Sequence, residues 1–398
     1  MSDRSQQRVR ADRPSPGRRR AAAVVAVLAA ALTTGGTLPS SAAPSDGSGD
    51  AIRKGMKSLV THDKFPAALL ATVDRDGRAH NYTAGVADLK TKAKVPVDGQ
   101  VRVGSNTKTF TATVVLQLVG EGKVRLDKPI ETYLPGLIRG KGIDGHKITV
   151  RQLLQHTSGL PSYTTPMLDA IFGKGRHTYH QPRDLLDIAL AQKAQFAPGT
   201  SVAYSNTNYI VAGLLIEKVT GRPLAEQIKK RVIDRIGLRH TYFPGVGDES
   251  IREAHPRGYH AAKPGAPLKD ITKLDPSWGW SAGQLISTPS DLNRFFSALI
   301  GGDLLKPAQL AQMRTTIKGP RPSGDQPGTR YGLGLNSVPL PCGGLKWTHG
   351  GSTPGYYTSP GVTDDGRAAS AAVTANMSPT EKGGAHVDTL VDKALCQK

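Results

Sequence analysis

Residues 101–124 read VRVGSNTKTFTATVVLQLVGEGKV. Phe110, Val114, Val115 and Leu118 fall at i, i+4, i+5 and i+8, the spacing of one buried helix face, and Gly120 and Gly122 stop the pattern. Ser105 and Lys108, three residues apart, share a face at the mouth of this helix. A lysine gains nothing as packing there. It makes sense if the hydroxyl must lose its proton, because a free serine is a poor nucleophile and needs an adjacent base. A helix N-terminus favours the developing negative charge, and a buried lysine beside another cation or a tyrosine loses its own proton readily. Of all the serines, Ser105 alone has Lys at +3.

Working outward, PSDGSGD (44–50) reads as a linker and 51–61 as a helix. PAALLATV, DRDG and RAHNYTAGVADL read as strand, turn, strand. From 126 to 274, short helical pieces such as TVRQLLQHTSGL, PRDLLDIALAQ and TNYIVAGLLIEKVTG alternate with Pro/Gly loops. After TPSDLNRFFSALI, a capped helix, strand patterns return in RYGLGLNSV, LKWTHG, GYYTSPGV and RAASAAVTANM, the last two joined by TDDG as a hairpin. GGAHVDTLVDKAL closes the chain as a helix. The expected fold class is therefore α/β (α+β). One antiparallel sheet, flanked by helices, is built from 51–125 and 275–398, with a mostly helical domain, 126–274, inserted.

Residues 1–43 read as a secretory signal peptide: a basic leader, the apolar core AAAVVAVLAAAL (21–32), and small residues suited to cleavage after Ala42 or Ala43. The core is shorter than the roughly 20 residues of a membrane span. The expected location is extracellular or in the cell envelope, with no membrane span in the mature chain. An oxidising compartment would let the two cysteines, Cys342 and Cys396, pair. They cannot make a zinc site, and His177 and His180 lie in a polar, surface-like stretch, so no metal is expected. The net charge is +20, of which the leader supplies +5 from seven arginines against two aspartates. The rest is spread along the chain without an arginine block among aromatics, which speaks for an anionic envelope and against nucleic acid.

Two further units carry chemistry. Tyr204 alone among eleven tyrosines has Asn at +2 (YSN), and His349 alone among eleven histidines has Gly at +2 (HGG). The Tyr204 phenol can shuttle a proton, and Asn206 can donate to a substrate carbonyl. Gly351 would let a substrate backbone approach a strand edge, with His349 as a cation or donor beside it. Ser-x-x-Lys, Tyr-x-Asn and His-x-Gly in this order resemble the signature of the penicillin-recognising serine hydrolases, the β-lactamase-like family. The histidine is similar to that of the secreted D-alanyl-D-alanine carboxypeptidase/transpeptidase branch. RVGSNTKTF, LLQHTSGL, YSNTNYIVAGLLIEKVTG, SAGQLISTPSDLNRFFSAL, YGLGL and HGGSTPGYYT extend the resemblance over 55–396.

The resemblance implies an α/β domain plus an all-helical domain with the site between them. It implies catalysis by Ser105, Lys108 and Tyr204, and substrate contacts from Asn206, His349, Gly351, Ser352 and Trp278. It places an oxyanion hole at the backbone N–H groups of Ser105 and Ser352, and a disulfide between Cys342 and Cys396. No cofactor is implied. Expected substrates are peptidoglycan stem peptides or small acyl compounds, with β-lactams as inhibitors or substrates and the protein a monomer. One position departs from the pattern. Asn336 stands where the carboxypeptidase branch has an arginine for the substrate's terminal carboxylate, and an asparagine cannot make that bidentate contact. The function expected from the resemblance is a D-alanyl-D-alanine carboxypeptidase/transpeptidase-like enzyme working through a Ser105 acyl-enzyme and acylated by penicillin. An esterase, a D-amino-acid amidase or endopeptidase, or a weak β-lactamase tolerates the change at 336 better. Two rivals remain: an α/β-hydrolase elbow at GWSAG with Ser281 as nucleophile, and a non-catalytic binder of peptidoglycan or β-lactam. Loss of Ser105, Lys108 or Tyr204 would have pointed to the binder, and all three are present.

Overall fold

The computed structural model describes residues 47–319, 326–375 and 382–397. The expected signal peptide, residues 1–43, lies outside the described residues. Among them, no helix is long and apolar enough to cross a membrane. The expected linker is shorter than its sequence suggests, because helix α1 (Gly47–Thr61) already covers its last residues.

The strand β1 (Ala67–Val73) has no polar alternation because both of its faces are covered. Ala67 and Leu69 join a core that includes Phe295 and Phe296. Ala68 and Leu70 join a second core with Ile52, Met56, Leu59, Leu390 and Val391. The remaining strands of this sheet are β2 (Ala79–Gly85), β3 (Ile317–Lys318), β4 (Arg330–Tyr331), β5 (Asn336–Pro339), β6 (Leu345–Thr348), β7 (Gly351–Thr353), β8 (Tyr356–Thr363) and β9 (Ala368–Val373). They run antiparallel in the order β2-β1-β9-β8-β6-β5-β4-β3, with β7 paired to β8. Both ends of the chain thus build one sheet. RYGLGLNSV is not one strand: Gly332 N–H closes on Leu335 O at 2.7 Å, turning the chain between β4 and β5.

Four more helices complete the frame: α2 (Thr107–Gly120), α3 (Thr207–Thr220), α4 (Pro289–Ile300) and α5 (Gly383–Leu395). With α1, α5 covers one face of the sheet, and α4 covers the other. Pro289 opens α4, and the Thr288 side chain caps it from Asp291 N–H. The expectation of one buried face on α2 fails, since every residue from Thr107 to Leu116, and Leu118, is buried. Phe110 stacks on Phe295 at 3.6 Å between centroids on one side. On others, α3 and the short helix Trp280–Gly283 close over α2. Its threonines tolerate this because their hydroxyls are satisfied: Thr109 by Gly334 O at 2.8 Å, Thr111 by Ser281 O at 2.8 Å. Between α2 and residue 274, apart from α3, the described elements are short helices and two small ladders, Arg139–Gly140 with Ile143–Asp144 and Tyr259–His260 with Lys269–Asp270. The described residues pack as one compact unit.

Cys342 and Cys396 are bonded, tying the end of α5 to the turn between β5 and β6. Their separation of 54 residues predicts that Cys396→Ser lowers unfolding free energy by up to about 4 kcal/mol in the chain-entropy account, measurable by denaturant titration.

Candidate active site

Ser105 sits in the middle of a tight turn, Gly104–Asn106, that leads directly into α2. Two interactions fix the approach. Val101 and Arg102 pair with Ser287 and Ile286, and Val103 N–H donates to Leu285 O at 3.0 Å. On the other side, Asn106 Nδ2 donates to Val103 O at 2.8 Å and to Thr358 Oγ1 on β8 at 2.7 Å. The turn is therefore bolted to the sheet before the helix begins.

Lys108 is fully buried, its Nζ 3.0 Å from Ser105 Oγ and 2.8 Å from Ala282 O. It also lies over the rings of Tyr204 and Tyr209, at 4.9 and 5.6 Å from their centroids. Burial pushes its pKa well below the ordinary lysine value, because a charged amine there forfeits its hydration. An amine inclined to be neutral, in contact with a hydroxyl, is equipped to accept that hydroxyl's proton.

Tyr204 stands across from Ser105. Burial raises its pKa, while the nearby Ser105 hydroxyl draws it down. Its oxygen is shielded from solvent. Asn206, at the start of α3, donates from Nδ2 to Thr164 Oγ1 at 3.2 Å. His349 is not the cation that was one reading of its role. Its Nδ1 donates to Gly350 O at 2.8 Å, and its Nε2 is 3.1 Å from the Tyr331 hydroxyl, which donates to it. Burial, then the Lys108 amine, push its pKa down to about 3, so it is neutral at physiological pH.

Gly351 also has a different reason from the expected one. A Cβ there would meet Val103 O at 1.9 Å and Asn106 Nδ2 at 2.3 Å, so the missing side chain admits the protein's own serine turn rather than a substrate. The same contact is made from the other direction. Gly104 has φ +51°, and its Cβ would fall 2.8 Å from Ser352 O and 3.0 Å from Ser352 N. The backbones of Ser105's turn and of Ser352 are thereby held side by side. Trp278 is half-buried on the turn Pro276–Trp278, fixed by Tyr163, whose hydroxyl donates to Trp278 O at 2.5 Å.

Ser281 is excluded as a nucleophile: it is fully buried and its hydroxyl donates to Tyr209 O at 2.7 Å. The segment GWSAG instead supplies the Ala282 carbonyl that holds Lys108. Asn336 pairs with Thr348 across β5 and β6 and lines a small cleft with Lys346, Ser359 and Asp388 of α5. Neither neighbouring cation replaces an arginine there. Lys346 is buried in an ion pair with Asp392 at 2.5 Å, and Arg330 binds Thr316 O at 2.8 Å. Sequence reasoning missed Tyr209, Tyr331 and Gly104. The first two are unremarked letters inside YIVAG and YGLGL, and only packing shows that their rings enclose the site.

The chain matches the Beta-lactamase family over residues 50–395. A D-stereospecific amidohydrolase from a Streptomyces species is 38% identical, with a TM-score of 0.78 covering 85% of this chain and 98% of that one. The D-amino acid amidase of Ochrobactrum anthropi is 26% identical, with a TM-score of 0.77 over 88% and 98%. Penicillin-binding protein 4 of Amycolatopsis lactamdurans is 28% identical over 66% of this chain and 68% of its own length. The chain spans 39% of the length of the first curated relatives that it matches.

Gly104→Ala should separate the two backbones at the serine turn. If the expected oxyanion hole is formed by these two backbones, kcat should fall by about 10²-fold, the cost of losing one such donor, with KM changed less, in steady-state kinetics on an acyl substrate. This chain belongs to the β-lactamase family, with the fold and serine-hydrolase character of that family.

Proposed function

We propose that this protein is a D-stereospecific amidohydrolase: it cleaves amides, and esters, of D-amino acids or short D-terminal peptides through an acyl-enzyme on Ser105. The observation that carries the reading is the contact of the buried Lys108 amine with Ser105 Oγ at 3.0 Å. In this mechanism Lys108 Nζ takes the Ser105 proton as Oγ bonds to the carbonyl carbon. The carbonyl oxygen becomes an oxyanion between the N–H groups of Ser105 and Ser352. Tyr204, between Lys108 and the leaving nitrogen, passes the proton on as the C–N bond breaks. Water then attacks the acyl carbon, its proton returning by the same groups, and Ser105 is restored. Asn206 and Trp278 border the substrate, and His349, neutral, helps hold the Tyr331 and Tyr204 side.

Two facts favour an amidohydrolase over a carboxypeptidase. Asn336 provides no cation for a free terminal carboxylate, and Lys346 is committed to Asp392. The similarity to two D-specific amidohydrolases covers nearly all of those chains. A D-alanyl-D-alanine carboxypeptidase acylated by penicillin is the second reading, favoured by the similarity to a penicillin-binding protein.

The deciding experiment compares hydrolysis of an aromatic D-amino-acid amide, its L-enantiomer and a D-alanyl-D-alanine peptide by wild type and Ser105→Ala. Turnover of the D-amide above the other two, lost in the variant, is expected. Preference for the D-alanyl-D-alanine peptide would move the assignment to the carboxypeptidase, and equal rates on both enantiomers would end the D-specific reading. Lys108→Met and Tyr204→Phe should each lower the acylation rate by about 10²–10⁴-fold. Acylation in wild type should rise with pH through a group titrating well below 10.5, a limb that stopped-flow kinetics would show and Lys108→Met would remove. Folding strips Lys108 of a proton that the unfolded chain keeps up to about pH 10.4. Stability lost to Lys108 is therefore recovered as pH rises towards that value, and Lys108→Met should be more stable than wild type at neutral pH, by calorimetry.

A further inference from the structure

Tyr204 has to pass protons over hydrogen-bond distances, yet residues 201–205, which carry it, have no regular secondary structure before α3 begins at Thr207. One residue ties this segment down. The carbonyl of His156 accepts Ala203 N–H at 3.1 Å, and its Nδ1 accepts Ser205 N–H at 3.2 Å. The main chain immediately before and immediately after Tyr204 is thus bonded to the same side chain and carbonyl. The imidazole also lies against the phenol ring, with centroids 4.4 Å apart at 36°.

His156 is itself strongly held. It is fully buried, and its φ of +61° is a left-handed conformation unfavourable to a residue with a β-carbon. Its Nδ1 takes a second donor, Asn208 Nδ2 at 3.0 Å, and Asn208 Oδ1 is fixed by Ser158 Oγ at 2.5 Å. Two donors on Nδ1 place the single ring proton on Nε2. Around the ring stand Tyr204, Tyr209 and Tyr331, and Lys108 and His349 are the basic groups whose charge acts on it. Burial first, then those two bases, keep His156 neutral, and a proton on Nδ1 would end both of its N–H contacts.

We infer that His156 is a positioning residue: it clamps the backbone on both sides of Tyr204 and backs its ring, setting the phenol oxygen against Ser105 and Lys108. The inference rests on the reading of Tyr204 as a proton carrier, and it acts through Tyr204 rather than on the substrate. LLQHTSGL reads as a helix end in the sequence, and the helix does end at Leu154. The functional content of His156 is in what it grips 49 residues further on.

The test uses His156→Ala, His156→Asn, Tyr204→Phe and the His156→Ala/Tyr204→Phe double variant. Acylation is followed with a chromogenic D-amino-acid ester, and folding by thermal unfolding. His156→Ala should lower the acylation rate constant by about 10–100-fold with KM changed less than about 3-fold. His156→Asn should recover most of it, since asparagine accepts φ > 0 and offers a side-chain oxygen to Ser205 N–H. In the Tyr204→Phe background, His156→Ala should cost less than about 2-fold, because the group it positions is gone. The same loss in both backgrounds, or Asn no better than Ala, would overturn the inference. Should Tyr204→Phe alone leave acylation at the wild-type rate, the proton-carrier reading fails on its own. The clamp is then judged by NMR of [13Cζ]tyrosine-labelled protein, in which one Tyr204 signal retained in His156→Asn and dispersed in His156→Ala supports it. An unchanged Tyr204 signal in His156→Ala overturns it.

Discussion

A lysine amine enclosed by protein, held by a serine hydroxyl and a backbone carbonyl, is the constraint on which this site depends. Burying an amine is unfavourable while it carries charge, and the protein relieves that by favouring the neutral form. The environment that does so is assembled from distant segments. The short helix after Trp278 gives the Ala282 carbonyl, and α3 with its preceding loop gives Tyr209 and Tyr204. The β4–β5 hairpin gives Tyr331, and His349 follows β6. Both histidines of the cluster are kept neutral, so they do not compete with Lys108 for charge.

The large core serves this arrangement. α2 must be surrounded to keep Lys108 dry, and the Phe110–Phe295 stack and the threonine hydrogen bonds seal it on its polar and apolar sides alike. In the sheet, covered on both faces, β7 is paired to the interior strand β8 and lies against the serine turn. Two glycines, Gly104 and Gly351, are the hinge of that contact. One needs a positive φ, and both need the absence of a side chain where two backbones meet. The strain of His156 is of the same kind, stored beside a group that must be aimed. Sites of this sort trade stability for geometry, which is how a fully buried lysine comes to be kept.

Much of this was legible in the letters. Ser105 and Lys108 were placed on one face by spacing alone, and the helix after them was expected where it stands. The strands at both ends implied one antiparallel sheet, and PAALLATV was read as a strand where β1 stands; that both of its faces are covered came only from the structure. Tyr204, Asn206 and His349 were found by their rare neighbours; the structure sets the Tyr204 and His349 rings 6.3 Å apart with Lys108 over Tyr204, while the Asn206 amide is bonded to Thr164. Less legible was what each does there. His349 read as a possible cation, but burial beside Lys108 makes it neutral. Gly351 read as room for a substrate, but that room is filled by Val103 and Asn106. Ser281 matched a nucleophile elbow, and its hydroxyl is spent on Tyr209 O.

The division has a physical reason. Helical spacing, strand alternation and turn chemistry act over a few residues, so the sequence by itself determined the elements, the Ser-x-x-Lys unit and its chemical possibility. Burial and charge state are set by groups brought together from far apart in the chain, as Asn106 with Thr358, 252 residues on, or His156 with Ser205, 49 residues on. Only the tertiary structure decided that Lys108 is dry, that His349 and His156 carry no charge, and that Tyr204 is held from both sides.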